Sequence, residues 1–450
     1  MKTSPIRIHY PDTRIKSILN KLITAAIQAA DPQEALRGAL IRKGNHLKAG
    51  DLSYDLSRFR RIVCVGAGKA SGRMAMALEQ VLGDSLEDGI VIVKDGYGVP
   101  CKKIRILEAA HPVPDGRGVK ATKQILSLVQ SLTQHDLVIV LLSGGASSLL
   151  CAPSARLTLA NKQRTTRLLL RSGATIHDMN VVRKHLSAIK GGQLAHATPA
   201  TILTLIISDV LGDDLAAIGS GPTVPDSSTY QDAIDILKHY EIWTKVPVAV
   251  QRHFKKGLTG RISETLKPTR RRTFRNRHIV LANNHHAIEG VAIAARRLKF
   301  TPFILPIPLQ GEAKEIGSIL GGFARDLVEF GNPVPPPACL IAGGEPTVTV
   351  KGKGKGGRAQ ECVLAAVQEL AGLRKVFVAG FGTDGTDGPT EVAGALADGK
   401  TSERASRKEL DLSRFLDNHD SYHFFKNVGG HIITGPTGTN VNDIYLIVVL

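Results

Sequence analysis

At 450 residues the chain exceeds one ordinary hydrophobic core and suits two or three domains. Its 43% hydrophobic and 22% charged residues match the average soluble globular mixture, which excludes a disordered or fibrous class. Lys+Arg 58 against Asp+Glu 40 leaves a formal charge of +18, so phosphate-bearing small molecules and nucleic acid both qualify as acidic partners.

The N-terminal stretch MKTSPIRIHYPDTRIKS has no apolar signal-peptide core, and no apolar run reaches the roughly 18 residues of a membrane span. A cytoplasmic protein without a membrane partner is expected. Five cysteines, Cys64, Cys101, Cys151, Cys339 and Cys362, are widely spaced with no CxxC pair, against a disulfide framework or a thiolate zinc site. Apolar residues at Ile15, Ile18, Leu19, Leu22, Ile23, Ala26 and Ile27 have helical spacing, and that helix stops at Asp31-Pro32. Apolar runs at 62–65, 90–93, 137–142 and 202–207 then alternate with Ala- and Leu-rich helical segments. Continuous apolar strands separated by helices predict a mostly parallel sheet covered on both faces, a doubly wound α/β domain.

Residues 255–277 carry charge and turn residues with little periodicity, which predicts a domain boundary there. Within them Arg270, Arg271, Arg272, Arg275 and Arg277 read as a solvated linker, because nucleic-acid sites interleave more aromatics than Phe274 alone. A second α/β series follows, with strands expected at 279–282, 302–306, 340–342, 347–351, 376–379, 431–434 and 444–449. The segment NPVPPPA, 332–338, is a stiff connector. The domains therefore run over 1–260 and 275–450, the second being the smaller. Glycine- and aspartate-rich loops follow strands in both halves, and ligands of open α/β sheets sit outside strand carboxyl ends, so a cleft between the domains is the expected active site.

VGAGKASG, 65–72, nearly spells two nucleotide-binding motifs. The dinucleotide fingerprint fails because Ser71 stands where its third glycine belongs, and the Walker pattern fails because Val63 replaces its first glycine. The physics common to both remains: a glycine turn at Gly66 and Gly68 aims backbone N–H groups at an anion, and Lys69 adds a point charge suited to phosphate. A tight turn with a surface lysine is the competing reading. SGGASS, with Ser143, Gly144, Gly145 and Ser147, is either a second anion nest or a plain turn. In SDVLGDD, Asp209 at a strand end suits deprotonation of a hydroxyl or Mg²⁺ binding, whereas Asp213 and Asp214 suit helix capping. In GGEPTVTVKGKGKGGRAQE, Glu345 follows a strand, Lys353 and Lys355 alternate with glycine, and Arg358 opens a helix. That stretch reads as a mobile polyphosphate clamp or a solvated hairpin tip. Asp384 and Asp387 in GTDGTDGP suit hydrated Mg²⁺, with metal-free Asx-turns as the alternative. His285 and His286 read as cap or surface residues, and HPVPDG, 111–116, as a turn.

Taken in order, GAGKAS, HPVPD, LLSGGASSLL, MNVVRKHLSAIKGGQLA, SDVLGDD with SGPT, the 343–361 stretch, GTDGTDGPT with AGA, and TGPTGTNVND resemble the type II glycerate kinases, whose C-terminal part is the MOFRL domain. The resemblance covers residue 15 to the end, with the MOFRL region at about 337–445. Pro346 departs from the small or hydroxylic residue expected after Glu345. The resemblance implies a Rossmann-like first domain, ATP and Mg²⁺ as cofactors, D-glycerate as substrate and 2-phosphoglycerate as product. It also implies that Lys69 and Asp209 are the active-site pair and Arg358 the functional arginine. A monomer or homodimer with no nucleic-acid partner is expected. Two alternatives remain: a hydroxypyruvate reductase, which the broken dinucleotide fingerprint disfavours, and a non-catalytic sugar-phosphate or nucleotide-binding module.

Overall fold

The computed structural model describes residues 6–268 and 276–450. Arg270, Arg271, Arg272 and Arg275 of the basic run lie outside the described residues. The chain divides into two compact units, one of Pro32–Leu281 and one of Met1–Asp31 with Ala282–Leu450.

Strand β1 (Arg7–Ile8) and the helix Thr13–Ala29 come first. Strands β2 (Leu40–Lys43), β3 (His46–Ala49) and β4 (Leu52–Asp55) then form a small antiparallel sheet. The main sheet of the same unit contains β5 (Ile62–Ala67), β6 (Asp88–Lys94), β7 (Ile104–Ala109), β8 (Leu137–Leu142), β9 (Thr201–Ile207) and β10 (Asn276–Ala282). Their spatial order is β10-β9-β8-β5-β6-β7, and every neighbouring pair from β7 across to β9 is parallel. In chain order that is 3-2-1-4-5-6, the doubly wound Rossmann arrangement, with its switch point between β5 and β8. All residues of β5, β8 and β9 are buried. Val63, Val65, Val138, Val140 and Ile202 share a core with Ala121, Ile125 and Val129 of the helix Gly116–Gln130. This double coverage is why these strands read as unbroken apolar runs.

The other unit contains β11 (Thr301–Ile304), β12 (Ala338–Gly344), β13 (Val376–Gly382), β14 (Gly394–Asp398), β15 (His431–Ile433) and β16 (Asp443–Val449). With β1 they form a seven-stranded sheet, ordered β1-β15-β14-β13-β16-β12-β11. Only β11 and β12 pair in parallel; the remaining neighbours are antiparallel. The helices Ala313–Glu329 and Arg358–Leu370 pack together on this sheet through Leu320, Ala324, Cys362, Val363 and Ala366.

Three particulars differ from expectation. The run at 279–282 opens no second domain; it lies in β10, the edge strand of the first sheet. The first helix belongs with the C-terminal unit: Gly290 of the helix Asn284–Arg297 lets it approach so closely that an added Cβ would lie 2.6 Å from Ala29 Cβ. Thr439 Oγ1 also donates to Ala30 O at 2.6 Å. The stretch 347–351 is no strand. Thr347 makes an isolated bridge to Glu312, and the Glu312 carboxylate, not a neighbouring strand, accepts the Thr349 N–H at 3.1 Å. Among the described residues no helix is long and apolar enough to cross a membrane.

Candidate active site

The turn leaving β5 and the turn leaving β8 are one structure at the switch point. Gly68 has φ +143°, and a Cβ there would lie 2.0 Å from Ser143 Oγ, so glycine is required. The Lys69 N–H donates to Gly144 O at 2.8 Å, and the Ala70 N–H to Ser143 Oγ at 3.0 Å. Ser71 Oγ lies 3.0 Å from Ser143 Oγ, both buried. Gly66 and Ser71, expected to face ligand, are thus a strand residue and a staple between loops. Gly145, at φ +86°, starts the short helix Ala146–Leu149. The His111 ring lies 2.9 Å from the position of a Gly145 Cβ, and Lys69 Cγ lies 3.6 Å from it. Lys69 and His111 therefore adjoin the same glycine, although His111 reads as a turn residue in sequence.

Asp209, partly buried, follows β9 two strands from β5. Strand spacing puts the two strand ends about 10 Å apart on the carboxyl edge. Asp214 caps locally by accepting the Ala216 N–H at 2.9 Å. Ser147 Oγ lies 2.9 Å from Ser220 Oγ, and Lys190, 2% exposed, donates to Ser147 O at 2.7 Å, Ser147 Oγ at 3.0 Å and Gly219 O at 3.2 Å. Sequence reasoning missed this lysine. Its signal is position: an apolar Ala-Ile pair before it and a tight Gly191-Gly192 turn after it, both positive in φ.

In the other unit, Arg358 begins the helix Arg358–Leu370 at the carboxyl end of β12 and the start of β16. Its Nε donates to Asp443 Oδ2 at 2.6 Å, Nη2 to Asp443 Oδ1 at 3.2 Å, and Nη1 to Glu345 Oε1 at 2.8 Å. Burial works against the Arg358 charge, yet Asp443 and Glu345 hold its pKa above the usual arginine value. Burial pushes Asp443 up to about 7 against the pull of Arg358. One edge of the guanidinium fork is thus filled from within the protein, and Glu345 is its partner. Asp443, the last residue of TGPTGTNVND, lies 85 positions away, and sequence reasoning did not pair it with Arg358.

The Lys-Gly stretch is pinned. Gly354 N–H donates to Asn418 O at 2.9 Å, Lys353 N–H to Asn418 Oδ1 at 2.9 Å and Lys355 N–H to Asp420 Oδ1 at 2.8 Å. A Cβ on Gly352, Gly354 or Gly356 would lie within 2.1–2.5 Å of Asn418, Asp420 or Ser421. Alternate residues therefore face that segment, where an added Cβ has no room. The Lys355 ammonium lies 4.2 Å from the Tyr422 ring centroid and 3.2 Å from Glu391 Oε2.

Asp387 does not sit as a metal ligand. It is buried, and it accepts the Ala359 N–H at 3.0 Å, the Gln360 N–H at 2.8 Å and the Gln360 Nε2–H at 3.0 Å. Asp384 makes an Asx-turn, accepting the Thr386 N–H at 3.1 Å. Among the described residues no group of three or more His, Cys, Asp or Glu side chains is arranged for a metal ion. Arg358, Gly354, Glu361, Asp384, His419 and Asn440 line a cavity of about 550 Å³. In it His419 Nδ1 lies 3.1 Å from Glu361 Oε2, whose carboxyl burial raises. His285 and His286 are exposed on their helix, with Asn283 as its N-cap.

Fold and loops together define a two-unit α/β enzyme. Residues 18–255 match a family described as a domain of unknown function, DUF4147, and residues 338–443 match the MOFRL family. The chain is 42% identical to a glycerate 2-kinase of Pyrococcus horikoshii, over 97% of each chain. It is 40% identical to a putative hydroxypyruvate reductase of Agrobacterium vitis, over 98% of this chain and 96% of that one. A crystal structure of glycerate kinase from Thermotoga maritima superposes with a TM-score of 0.85 at 36% identity, covering 98% of this chain and all of the other. The chain belongs to the MOFRL family of glycerate kinases.

Proposed function

We propose that the protein transfers the terminal phosphoryl group of ATP to the 2-hydroxyl of D-glycerate, giving 2-phosphoglycerate and ADP. One observation carries this reading. A cationic glycine turn and a strand-end carboxylate, Lys69 and Asp209, stand on the carboxyl edge of one parallel sheet beside its switch point. Phosphoryl transfer asks for positioning and charge neutralisation more than covalent machinery, and these residue types supply both. Lys69 neutralises charge on the transferring group or on the acid; Asp209 orients the attacking hydroxyl and accepts its proton. The two Arg358 N–H groups not turned to Asp443 and Glu345, with Lys353 and Lys355 nearby in sequence, steady nucleotide phosphates. Of the two aspartates expected to hold Mg²⁺, only Asp384 has the exposure to do so, through an outer shell of water. Mg²⁺ there would neutralise charge between nucleotide phosphates. We read the enzyme as cytoplasmic and as a monomer or homodimer acting on small molecules.

Phosphorus NMR of the product formed from ATP and D-glycerate tests the reaction. A 2-phosphoglycerate signal that disappears in Lys69→Met, with folding intact, is the expected result. NADH oxidation with hydroxypyruvate and no ADP release would overturn it in favour of a reductase.

A further inference from the structure

The unit of Pro32–Leu281 holds a second group of cations that Lys69 and Asp209 leave unused. Lys162, on the helix Leu159–Arg171, is 6% exposed, and its Nζ is inaccessible and has no hydrogen-bond partner among the described residues. Arg183, on the helix Ile176–His185, is partly buried and makes no hydrogen bond or ion pair among the described residues. Lys190 completes the group, and its three N–H donors are all used on Ser147 and Gly219.

Burial lowers the pKa of Lys162, Arg183 and Lys190, and the charges of Lys162 and Arg183 lower Lys190 further. Among the described residues the Cys151 thiol opposes this on both lysines, and no carboxylate bears on any of the three. The neighbouring Lys184 differs, because Asp226 Oδ1 lies 3.3 Å from its Nζ. Desolvated cations that repel one another and lack a counter-charge are costly, and an oxyanion offsets that cost by supplying the missing charge. Arg183 offers the planar fork that matches a carboxylate with two N–H bonds.

The group's place in the fold is also defined. Lys190 ties Ser147 to Gly219, Ser147 bonds Ser220, and Ser220 Oγ donates to Asn180 Oδ1 at 3.2 Å, on the same helix as Arg183. Loops from the carboxyl ends of β8 and β9 are thereby joined to the helix that presents Arg183. We propose that Arg183 forms an oxyanion subsite beside the 143–148 loop, which seats the carboxylate of the hydroxy-acid substrate, with the buried Lys162 adding positive potential from behind and Lys190 holding its wall. The identity of that substrate rests on the phosphoryl-transfer reading above.

The test compares Arg183→Gln, Arg183→Lys and Lys162→Met in the full chain by steady-state kinetics, by calorimetric binding of D-glycerate without nucleotide, and by thermal melting. Losing a charge-assisted bond to the carboxylate raises KM for D-glycerate about 10- to 100-fold in Arg183→Gln, with KM for ATP within about twofold. Arg183→Lys recovers part of the loss. Lys162→Met also raises KM for D-glycerate, while its melting temperature holds or rises because an uncompensated buried charge is gone. Unchanged KM for D-glycerate in folded Arg183→Gln overturns the subsite and leaves the kinase reading intact. A rise confined to KM for ATP overturns the carboxylate assignment in favour of a nucleotide phosphate. Calorimetric binding of D-glycerate by the wild type, lost in Arg183→Gln, supports the subsite even if no ADP is ever released.

Discussion

Asp387 is where a metal-ligand reading and a structural reading part most sharply, and one substitution separates them. The helix Arg358–Leu370 has Gly357 at its N-cap, with no side-chain cap of its own. Asp387, 27 positions beyond Gln360, takes that place, accepting two of the orphan N–H groups and the Gln360 amide. Its burial raises the carboxyl pKa, opposed by the Gln360 and Ala359 N–H groups. In Asp387→Ala two buried N–H groups lose their acceptor at about 1–3 kcal/mol each, and the charge at the helix N-terminus is lost as well. The expected cost is about 3–5 kcal/mol, near the top of the range for single substitutions. Asp387→Asn keeps one carbonyl acceptor and should cost about half as much. Urea denaturation measures both, and activity titrated with Mg²⁺ runs in parallel. Because Arg358 is the first residue of this helix, kcat should fall with stability while the half-saturating Mg²⁺ concentration stays put. An unfolding free energy unchanged to within about 0.5 kcal/mol, together with a tenfold shift in the Mg²⁺ requirement, would refute the capping argument.

Gly354→Ala places a Cβ 2.5 Å from Asn418 O and 2.5 Å from Asp420 Cβ. Overpacking of that kind costs about 1–3 kcal/mol and should raise KM for ATP, whereas Lys353→Ala should raise KM for ATP at an unchanged urea midpoint. Equal midpoints for both variants would show that the glycines serve flexibility instead. Burial lowers the pKa of His253, His278 and His431 below the usual histidine value. The unfolded chain therefore binds protons at pH values where these folded histidines do not. The histidine contribution to stability should be full above about pH 7 and fall as pH drops through 6.5 toward the lowered folded values, by at most about 1.4 kcal/mol per pH unit for each histidine, while Asp443, raised to about 7, contributes in the opposite sense. Urea unfolding at about pH 7.5 and 5.5, compared between the wild type and His253→Phe, isolates the histidine contribution, and an identical pH dependence in the two counts against neutral burial of His253.

The strands β5, β8 and β9 were legible because burial on both faces leaves an unbroken apolar run. Strand partners were not. The run at 279–282 looks the same whether it opens a new sheet or closes the edge of an old one, and the charged stretch before it favoured the wrong choice. The stripe Ile15, Leu19, Leu22, Ile23 of the first helix announces that something covers it. Only a helix starting at Asn284, with Gly290 at the contact, determines what does.

The site follows the same division. Glycine identities betray backbone geometry, so the turn at Gly68 and the alternation at Gly352, Gly354 and Gly356 stand out in sequence. What approaches each glycine is non-local: Ser143 in one case, Asn418 to Ser421 in the other. That difference reverses the meaning of the Lys-Gly stretch. A period of two with glycine on one side is the pattern of an extended segment lying against another backbone. Charge partners are harder still, since nothing near Arg358 announces Asp443, and nothing near Lys162 announces that no acid among the described residues faces it. A cation's role is set by its counter-charge. Arg358, already held by two carboxylates, is a preorganised element of its helix start, whereas Arg183, with none among the described residues, is the cation of the proposed subsite.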